Sequence, residues 1–440
     1  MALICLGSST ALAAPAHWVA TGAPERAVIS GGPWVLGEGT ATNPTAGYPT
    51  PNPGTNYFQP YYHAFVVGDD AAYLGFFDYR PKDLGEAVVA ATSTDRGRTW
   101  TFAGEALMYT PPADKPNDDG FGHPFVLDIG GRTLLYTLDR SPGNVDAAGL
   151  VVSELHGGGW RRPLRGAPAT VPPASALVRT EGLVDPDGII AALPSPWGST
   201  EILYLAKDIS VTPNVTTVHV AESWDGIAWD NDRIVNGLVT PARPFVGPRG
   251  TLVQFDDRSF GLFFSAGLPG EDADALHFIG YAESDDLVDW TVVNDVGNPI
   301  LSTDGAKDPT GGQDWYRGRV YAPSAVVGDD GCTVTMMFSG YKTLKPKAAP
   351  NDYRQMGRVE LSLCGSDDKS DAVGKTKTAV HPAAALSMSP SQGGATTGGC
   401  SVTGSTNGPR ATLPALIVLG LALAAQRLGR RGRASRARAV

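Results

Sequence analysis

The chain has 440 residues, with 42% apolar and 18% charged residues, so it can form one large or two ordinary domains and is not disordered throughout. The formal net charge is −10, and because residues 411–440 hold six Arg and no acidic residue, the remainder carries −16. Such an acidic body disfavours nucleic acid, whose phosphates require Lys and Arg, and remains compatible with neutral sugars.

The N-terminal residues 1–14 form a short apolar run that ends in the small-x-small pattern Ala11-Leu12-Ala13. This pattern is typical of the cleavage site of a secretory signal peptide, although the usual basic residues before the apolar run are missing. A buried N-terminal strand is the alternative interpretation. We therefore expect an exported protein whose folded body is formed by residues 15–365.

The body contains a repeat whose first element is an X-Pro dipeptide, followed by a strand, a polar turn and an apolar second strand. It occurs five times, at Gln59-Pro60, His123-Pro124, Asp185-Pro186, Arg243-Pro244 and Ala322-Pro323. The predicted second strands contain residues 74–78, 135–139, 203–207, 262–265 and 336–339. Gly and Asp fill most of the intervening turns, which is typical of hairpins because these residues tolerate positive φ angles.

A third strand that ends in Ser follows each of these pairs. The five predicted third strands contain residues 88–93, 150–153, 218–223, 279–284 and 357–362. The first four lead through a turn to Trp100, Trp160, Trp229 and Trp290, with spacings of 60, 69 and 61 residues. A unit of this length fits a four-stranded sheet, so the sequence predicts an all-β fold, a five-bladed β-propeller with four-stranded blades. Tandem β-sandwiches are the alternative.

The C-terminal region is expected to lie outside this fold. Residues 366–410 are rich in Ser, Thr, Gly and Lys, which predicts a flexible linker. Residues 413–425 form an apolar run of 13, shorter than the roughly 20 residues that span a bilayer, and the Arg cluster follows. A Gly-Gly-Cys segment ending at Cys400, a spacer, an apolar run and an Arg cluster together resemble the sorting tails of myxobacterial-type cell-surface proteins. That resemblance implies sorting machinery as a partner and display at the cell surface; an amphipathic membrane anchor is the alternative.

The body holds two cysteines, Cys332 and Cys364, without the spacing of a zinc site. In an exported chain they can pair, and we expect a disulfide between them. The seven His residues form neither an HxH nor an HExxH pattern, so we expect no cofactor and no catalytic metal. A structural Ca²⁺ in the axial channel is compatible with the sequence, because this ion needs only oxygen ligands.

The segment Ser93-x-Asp95-x-Gly97-x-Thr99-Trp100 matches the Asp-box of sialidases and other propellers. The Asp-box is a structural turn in which Ser and Asp bind backbone amides and Trp packs between strands. The resemblance therefore implies a fold and not a catalytic site.

The X-Pro strands, together with the closing segments 321–324 and 338–341, look like the clan of arabinanases, β-xylosidases, invertases and levansucrases over about residues 55–365. That resemblance implies glycoside hydrolysis by three carboxylates in a central funnel. These are an Asp on blade 1 as base or nucleophile, an Asp on blade 2 that tunes the pKa, and a Glu on blade 3 as the general acid. The residue before each Pro is then expected to point toward the funnel. This sequence departs from the pattern, with Gln59 on blade 1 and His123 on blade 2.

The resemblance and the carboxylates near the X-Pro dipeptides give the candidate catalytic residues Glu181, Asp185 and Asp119. Glu181 has the Thr-Glu-Gly context of the acid, and Asp185 precedes Pro186 at the expected mouth of the funnel. As alternatives to catalysis, Glu181 would be a solvated loop residue, Asp185 a turn residue and Asp119 a loop acid.

Five residues are candidates for substrate binding: Gln59, Tyr61, His123, Arg243 and Trp315. Tyr61 and Trp315 would form walls of sugar subsites, because sugars stack their C–H faces on aromatic rings. Arg243 could pair with a carboxylate or bind an acidic sugar through its planar fork. Interblade hydrogen bonds are the alternative for His123 and Arg243, and core packing is the alternative for the rings.

The leading function is hydrolysis of a glycosidic bond in a poly- or oligosaccharide, with carbohydrate as the ligand and no protein partner inferred beyond the sorting machinery. A non-catalytic carbohydrate-binding or adhesion propeller is the first alternative, and Gln59 favours it. A sialidase is the second alternative, suggested by the Asp-box, but it requires three convergent Arg, a Tyr/Glu pair and six blades. The fold alone does not decide among these functions.

Overall fold

A computed structural model describes residues 18–30, 65–68, 72–79, 87–107, 121–129, 132–139, 149–156, 159–160, 178–194, 199–208, 215–256, 259–271, 275–328, 333–342 and 355–362. Strands dominate these ranges, and the one helical element within them is a 3₁₀ turn at Asp314–Tyr316. None of the helical structure in this part of the chain is long and apolar enough to cross a membrane.

The strands form five small sheets, which are the blades of a propeller. Blade 1 contains β3 (Val28–Ser30), β7 (Thr99–Leu107), β6 (Ala87–Ser93), β5 (Tyr73–Tyr79) and β4 (Phe65–Gly68), from the outer edge inward. Blade 2 contains β11 (Gly159–Trp160), β10 (Gly149–His156), β9 (Arg132–Asp139) and β8 (Phe121–Ile129), with β12 (Val178–Arg179) also on β10. Blade 3 contains β13 (Pro186–Pro194), β14 (Thr200–Asp208), β15 (Val215–Ser223) and β16 (Asp230–Ile234), from the inner edge outward.

The last two blades follow the same plan. Blade 4 contains β17 (Thr251–Asp256), β18 (Ser259–Gly267), β19 (Leu276–Ser284) and β20 (Thr291–Asn294), with β21 (Leu301–Ser302) also on β19. Blade 5 contains β1 (Val19–Ala20), β24 (Gln355–Ser362), β23 (Thr333–Tyr341) and β22 (Arg319–Val327), with β2 (Glu25–Arg26) also on β24. The protein is therefore an all-β five-bladed propeller, as the sequence predicts. The predicted second and third strands of all five repeats are confirmed.

The ring closes through the N-terminal segment. Strands β1 and β2 pair antiparallel with β24 of blade 5, and β3 then pairs parallel with β7 of blade 1. Trp18 anchors this segment, since its side chain is buried and packs 5.3 Å from the ring of Phe263. One stretch of chain thus joins the last blade to the first, which keeps blades 1 and 5 from separating.

The core lies between neighbouring blades and not inside any one sheet. One cluster includes Phe125 and Tyr136 of blade 2 together with Ile189 and Trp229 of blade 3. A second joins blades 3 and 4, and a third joins blades 4 and 5 around Trp315. Complete burial of such a side chain contributes about 1.5–3 kcal/mol, so contact between blades supplies much of the stability of the ring.

The turns between the Ser that ends the third strand and the following Trp are closely similar in blades 1, 3 and 4. In blade 4, the Asp286 Oδ1 accepts the main-chain N–H groups of Val288 (2.9 Å) and Asp289 (2.8 Å), and Ser284 Oγ accepts that of Leu287 (3.0 Å). Ser and Asp make the corresponding bonds in the other two turns. The buried Trp at the end of each turn then packs between strands. These residues therefore stabilise turns at the outer parts of the blades.

Candidate functional site

The inner strands of blades 2, 3 and 5 share a register irregularity near their beginnings. In β8, Gly122 pairs with Leu138 and Phe125 with Tyr136, so His123 and Pro124 together oppose one residue. Strand β22 has the same arrangement around Ala322, and β13 has an extra residue at Asp187. Such bulges bend a strand and change the direction of a side chain, and they are frequent beside binding sites.

In blade 4, the irregularity lies several residues after Arg243-Pro244, the dipeptide that the sequence predicts to begin the inner strand. Residues 245–247 already pair with the end of β18, through the N–H of Gly247 on Ser265 O (2.8 Å) and that of Gly267 on Phe245 O (3.1 Å). The irregularity comes at Arg249, whose φ of 75° lies in the same left-handed region as the 55° of His123 and of Ala322. The bulge residue of this blade is therefore Arg249 and not Arg243.

The bulges of blades 2 and 3 contact each other. His123 is buried, and its Nδ1 lies 3.2 Å from the carbonyl oxygen of Asp187. A carbonyl can only accept a hydrogen bond, so Nδ1 carries the proton and Nε2 is the basic nitrogen of the neutral ring. The half-buried Asp187 thus lies at the beginning of β13, and its main chain contacts the imidazole of His123 from blade 2.

Gly188 allows three blades to approach at this point. A Cβ on Gly188 would lie 3.1 Å from both His123 Nδ1 and the Cβ of Pro248, and its φ of 138° is one that other residues rarely adopt. Blades 2, 3 and 4 therefore approach one another closely around a position that favours glycine.

Arg249 extends from blade 4 to blade 2. Its guanidinium carbon lies 5.0 Å from the centre of the Phe125 ring in β8, and its main-chain N–H donates to Ile189 O in β13 (3.3 Å). The side chain is 1% exposed, so its positive charge is buried beside the bulges of the neighbouring blades. Its position beside the bulges of three blades makes this residue a candidate for function. The same charge disfavours a Ca²⁺ ion beside these bulges.

Arg243, a predicted substrate ligand, has its donors engaged in the blade itself. Its Nε donates to Leu238 O (2.6 Å), one terminal nitrogen donates to Gly237 O (2.6 Å), and the other forms an ion pair with Asp295 (2.5 Å). The side chain is buried, and its guanidinium lies over the ring of Phe264. These contacts favour hydrogen bonding within the fold, which is the alternative to substrate binding for Arg243.

Asp185 lies at the predicted end of blade 3. Its side chain is exposed, its φ is 38°, and its carbonyl oxygen accepts the N–H of Lys207 (3.1 Å) beside the first residue of β13. Asp185 and Asp187 are thus two carboxylates near the beginning of one inner strand.

Glu181, the predicted general acid, belongs to a repeated connection between blades. Its N–H donates to Ile227 O and its carbonyl accepts the N–H of Trp229, and Asn236 makes the same two bonds with Val288 and Trp290. Gly182 and Gly237 follow with φ angles of 83° and 85°, and a Cβ on either would lie 2.0 Å from a Trp carbonyl oxygen. The Thr-Glu-Gly context therefore reflects chain geometry, and the exposed Glu181 side chain fits the loop alternative.

Trp315, predicted to form a subsite wall, lies in the core between blades 4 and 5. It is 5% exposed, and its ring stacks on Phe338 at 5.4 Å with an interplanar angle of 20°. This packing favours the alternative of a core ring. The other predicted residues, Gln59, Tyr61, Asp119, Cys332 and Cys364, lie outside the described residues, and their roles stay predictions.

The arrangement was partly visible in the sequence. The X-Pro dipeptide of blade 2 makes His123 a sequence candidate, whereas Asp187 and Arg249 are not among the residues that the sequence predicts. A Gly inside a predicted inner strand marks a bulge, and both Asp187-Gly188 and Arg249-Gly250 carry that signal. Among the described residues, no group of three or more His, Cys, Asp or Glu is placed to bind a metal ion.

Solved structures share this fold at low sequence identity. An N-acetylgalactosamine deacetylase from F. plautii, in complex with blood group B trisaccharide, is 14% identical, with 75% of this chain and 97% of that one covered at a TM-score of 0.50. An α-L-arabinofuranosidase from Podospora anserina, in complex with cellotriose, is 13% identical over 79% of this chain and 98% of that one, with a TM-score of 0.46. A thermostable family-43 glycoside hydrolase is 14% identical over 77% and 100%, with a TM-score of 0.43.

At these identities the likeness concerns the fold alone. No protein-family model and no curated protein matches the chain. The class that the fold defines is a five-bladed β-propeller, and glycoside hydrolases are among the solved structures that resemble it.

Proposed function

We propose that this protein is an exported, glycoside hydrolase-like propeller that acts on the glycosidic bonds of a poly- or oligosaccharide at the bulged ends of its inner strands. The observation that carries the proposal is the convergence of His123, Asp187 and Arg249 from three consecutive blades. Imidazole, carboxylate and guanidinium groups bind sugar hydroxyls, and the first two also transfer protons. The solved structures named above bind or act on carbohydrate, which agrees with this choice of ligand.

Glycoside hydrolysis requires one ionised and one protonated carboxyl group on either side of the scissile bond. We assign the ionised role to Asp187, because the neighbouring blade buries the positive charge of Arg249 close to β13, where its main-chain N–H donates to Ile189 O, and a positive charge favours a nearby anion. Asp185 is our first candidate for the acid, since it lies two residues away at the same end of β13. Glu181 and Asp119 are the remaining candidates.

A non-catalytic carbohydrate-binding propeller is the second candidate function. Of the described bulge residues His123, Asp187, Arg249 and Ala322, only one is a carboxylate, which favours binding over hydrolysis. The five blades do not match the six that the sialidase alternative requires, so we do not propose that activity.

The proposal includes export and surface display. The N-terminal apolar run, the linker at residues 366–410 and the Arg-rich tail support it on sequence grounds alone. Mass spectrometry of the protein recovered from its cells tests it: a chain beginning near residue 14 and ending near Cys400 supports processing at both ends, and an intact chain at the cytoplasmic side contradicts it.

The enzymatic test uses the full chain on chromogenic arabinosides, xylosides, fructosides, galactosides and sialosides. Asp187→Asn, Asp185→Asn and Glu181→Gln are compared with Asp230→Asn, which removes an exposed acid on the outer strand β16. We expect turnover to fall by about 10²–10⁴-fold in Asp187→Asn and to stay unchanged in Asp230→Asn. Loss of turnover in Asp185→Asn or in Glu181→Gln would identify that residue as the general acid. Absence of turnover on every substrate, with glycan binding retained, would establish the binding propeller instead.

A further inference from the structure

Trp224 lies on the surface at the turn between β15 and β16. Its side chain is 64% exposed, more than any other large hydrophobic side chain in the described ranges. The indole neither enters the core nor belongs to the site at the inner strands. A large aromatic ring in water is unfavourable by about 25 cal/mol per Å² of exposed apolar surface, so its presence calls for an explanation.

The blade repeat provides an internal comparison for this position. The residue between the Ser and the Asp of the turn is Thr94 in blade 1, Trp224 in blade 3 and Asp285 in blade 4. The turn's hydrogen bonds come from the flanking Ser and Asp in all three blades. The fold therefore accepts small polar residues here, and it does not require an aromatic ring.

The two strands that flank Trp224 carry a carboxylate and an amide that are hydrogen-bonded to each other. Glu222 Oε2 accepts a hydrogen bond from Asn231 Nδ2 at 3.1 Å, and Asn231 adopts a φ of 54° within the irregular pairing of β15 and β16. Since Glu222 pairs with Asp230 as Glu283 pairs with Thr291, the blade 4 counterpart of Asn231 is Val292. Blade 3 alone among these turns thus combines an exposed ring with an adjacent carboxylate–amide pair.

We propose that Trp224, Glu222 and Asn231 form a second, surface site for a neutral oligo- or polysaccharide chain. The ring provides an apolar face for the C–H side of a sugar, and the carboxylate and amide provide acceptors and donors for its hydroxyls. A protein partner is disfavoured because a stable interface buries about 800 Å² per side around an apolar centre, whereas all five residues of β16 beside the turn are exposed and four are polar. Nearby Asp225 and Asp230 disfavour anionic ligands.

This site is remote from the inner-strand bulges. Trp224 follows Ser223, which pairs with Thr200 at the beginning of β14, whereas Asp185 bonds to Lys207 near the other end of that strand. Seven residues of strand span about 23 Å. A chain held here would raise the local concentration of substrate without entering the channel. The inference rests on the proposed function only in the choice of carbohydrate as the ligand.

Affinity electrophoresis of the full chain tests the site, with soluble arabinoxylan, arabinan, levan, galactan and dextran as probes and Asp187→Asn as the background that prevents hydrolysis. The variants are Trp224→Ala, Trp224→Asp, which installs the residue of blade 4, and Trp224→Phe, which keeps a ring. Val215→Ala is the matched control, since Val215 is an exposed apolar residue at the other end of β15.

We expect at least one polysaccharide to retard the parent, with binding weakened at least tenfold by Ala or Asp, largely kept by Phe and unchanged in the control. Trp224→Ala with the native Asp187 should hydrolyse small chromogenic glycosides at the parental rate. Equal retardation of parent and Trp224→Ala, or no retardation of the parent by any probe, would overturn the proposal. Trp224-dependent binding without any turnover would leave this site standing and reject the hydrolase function.

Discussion

The Nδ1 atom of His123 in blade 2 lies 3.2 Å from the main-chain carbonyl oxygen of Asp187 in blade 3. This contact joins the bulges of two neighbouring inner strands, and it fixes the imidazole with Nε2 as its basic nitrogen. The same pair thus joins two blades, and the proposed function gives the imidazole a second role as a proton acceptor.

Replacement of His123 separates these two roles. Asn tolerates the left-handed φ of 55°, and its amide can donate where Nδ1 does, so His123→Asn should keep a melting temperature near that of the parent. Turnover, or glycan affinity, should fall at least tenfold because Nε2 is lost. His123→Leu loses the bond and strains the backbone, so it should destabilise the fold by about 2–3 kcal/mol. Unchanged turnover in His123→Asn would exclude the imidazole from the site.

Arg243 is expected to act on stability and not on ligand binding. Arg243→Ala removes donors from Leu238 O and Gly237 O and leaves Asp295 unpaired, which should lower the unfolding free energy by about 2–3 kcal/mol. The half-exposed Asp295 can be hydrated, so the loss stays below that of a fully buried pair. Urea titration measures the change, and KM for the best substrate should not move. A raised KM with normal stability would restore the sequence prediction of a ligand.

Gly237 and Gly270 form a matched pair for testing the connection between blades. Their φ angles are 85° and 81°, but a Cβ on Gly237 would lie 2.0 Å from Trp290 O, whereas nothing lies within 4 Å of one on Gly270. Gly270→Ala should therefore cost about 1–2 kcal/mol from backbone strain alone. Gly237→Ala should be destabilised considerably more, or fail to fold. Equal melting temperatures for the two variants would show that the connection yields easily.

The Asp-containing turns make stability depend on acid pH. The N–H of Asp289 is the largest influence that holds the pKa of Asp286 below its usual value; partial burial opposes it, and the bonds from Val288 and Ser284 add to it. Burial raises the pKa of Asp95 and of Asp225, but their hydrogen bonds outweigh it and the net direction is again downward.

Because these carboxylates bind protons less readily in the folded chain than in the unfolded chain, their contribution is present above the unfolded pKa of about 3.9. It is lost as the pH falls through the lower folded values. Melting curves from pH 5 to pH 2.5 should show a progressive fall that is shallower in Asp286→Asn. An equally steep fall in that variant would mean that other groups govern acid unfolding.

The strands could be predicted because each repeat carries its own local signals, namely X-Pro, alternating apolar runs, Gly- or Asp-rich turns and a Ser before the Trp turn. The site could be predicted only in part. A bulge depends on how the inner strand pairs with the second strand, so Asp185-Pro186 and Arg243-Pro244 marked the correct strands but not Asp187 and Arg249. The main chain of Glu181 and the ring of Trp315 make contacts between blades, and such contacts are invisible in one repeat, so the sequence alone could not weigh the structural alternatives for these two residues.

The measurement that tests the central claim most directly is a crystal structure of the Asp187→Asn variant with the oligosaccharide of the panel that it binds most tightly. The account predicts a sugar at the bulged ends of the inner strands, with a hydroxyl within about 3.2 Å of His123 Nε2 or of the new amide. A sugar bound only at other surfaces, with none beside His123 and residue 187, would contradict it.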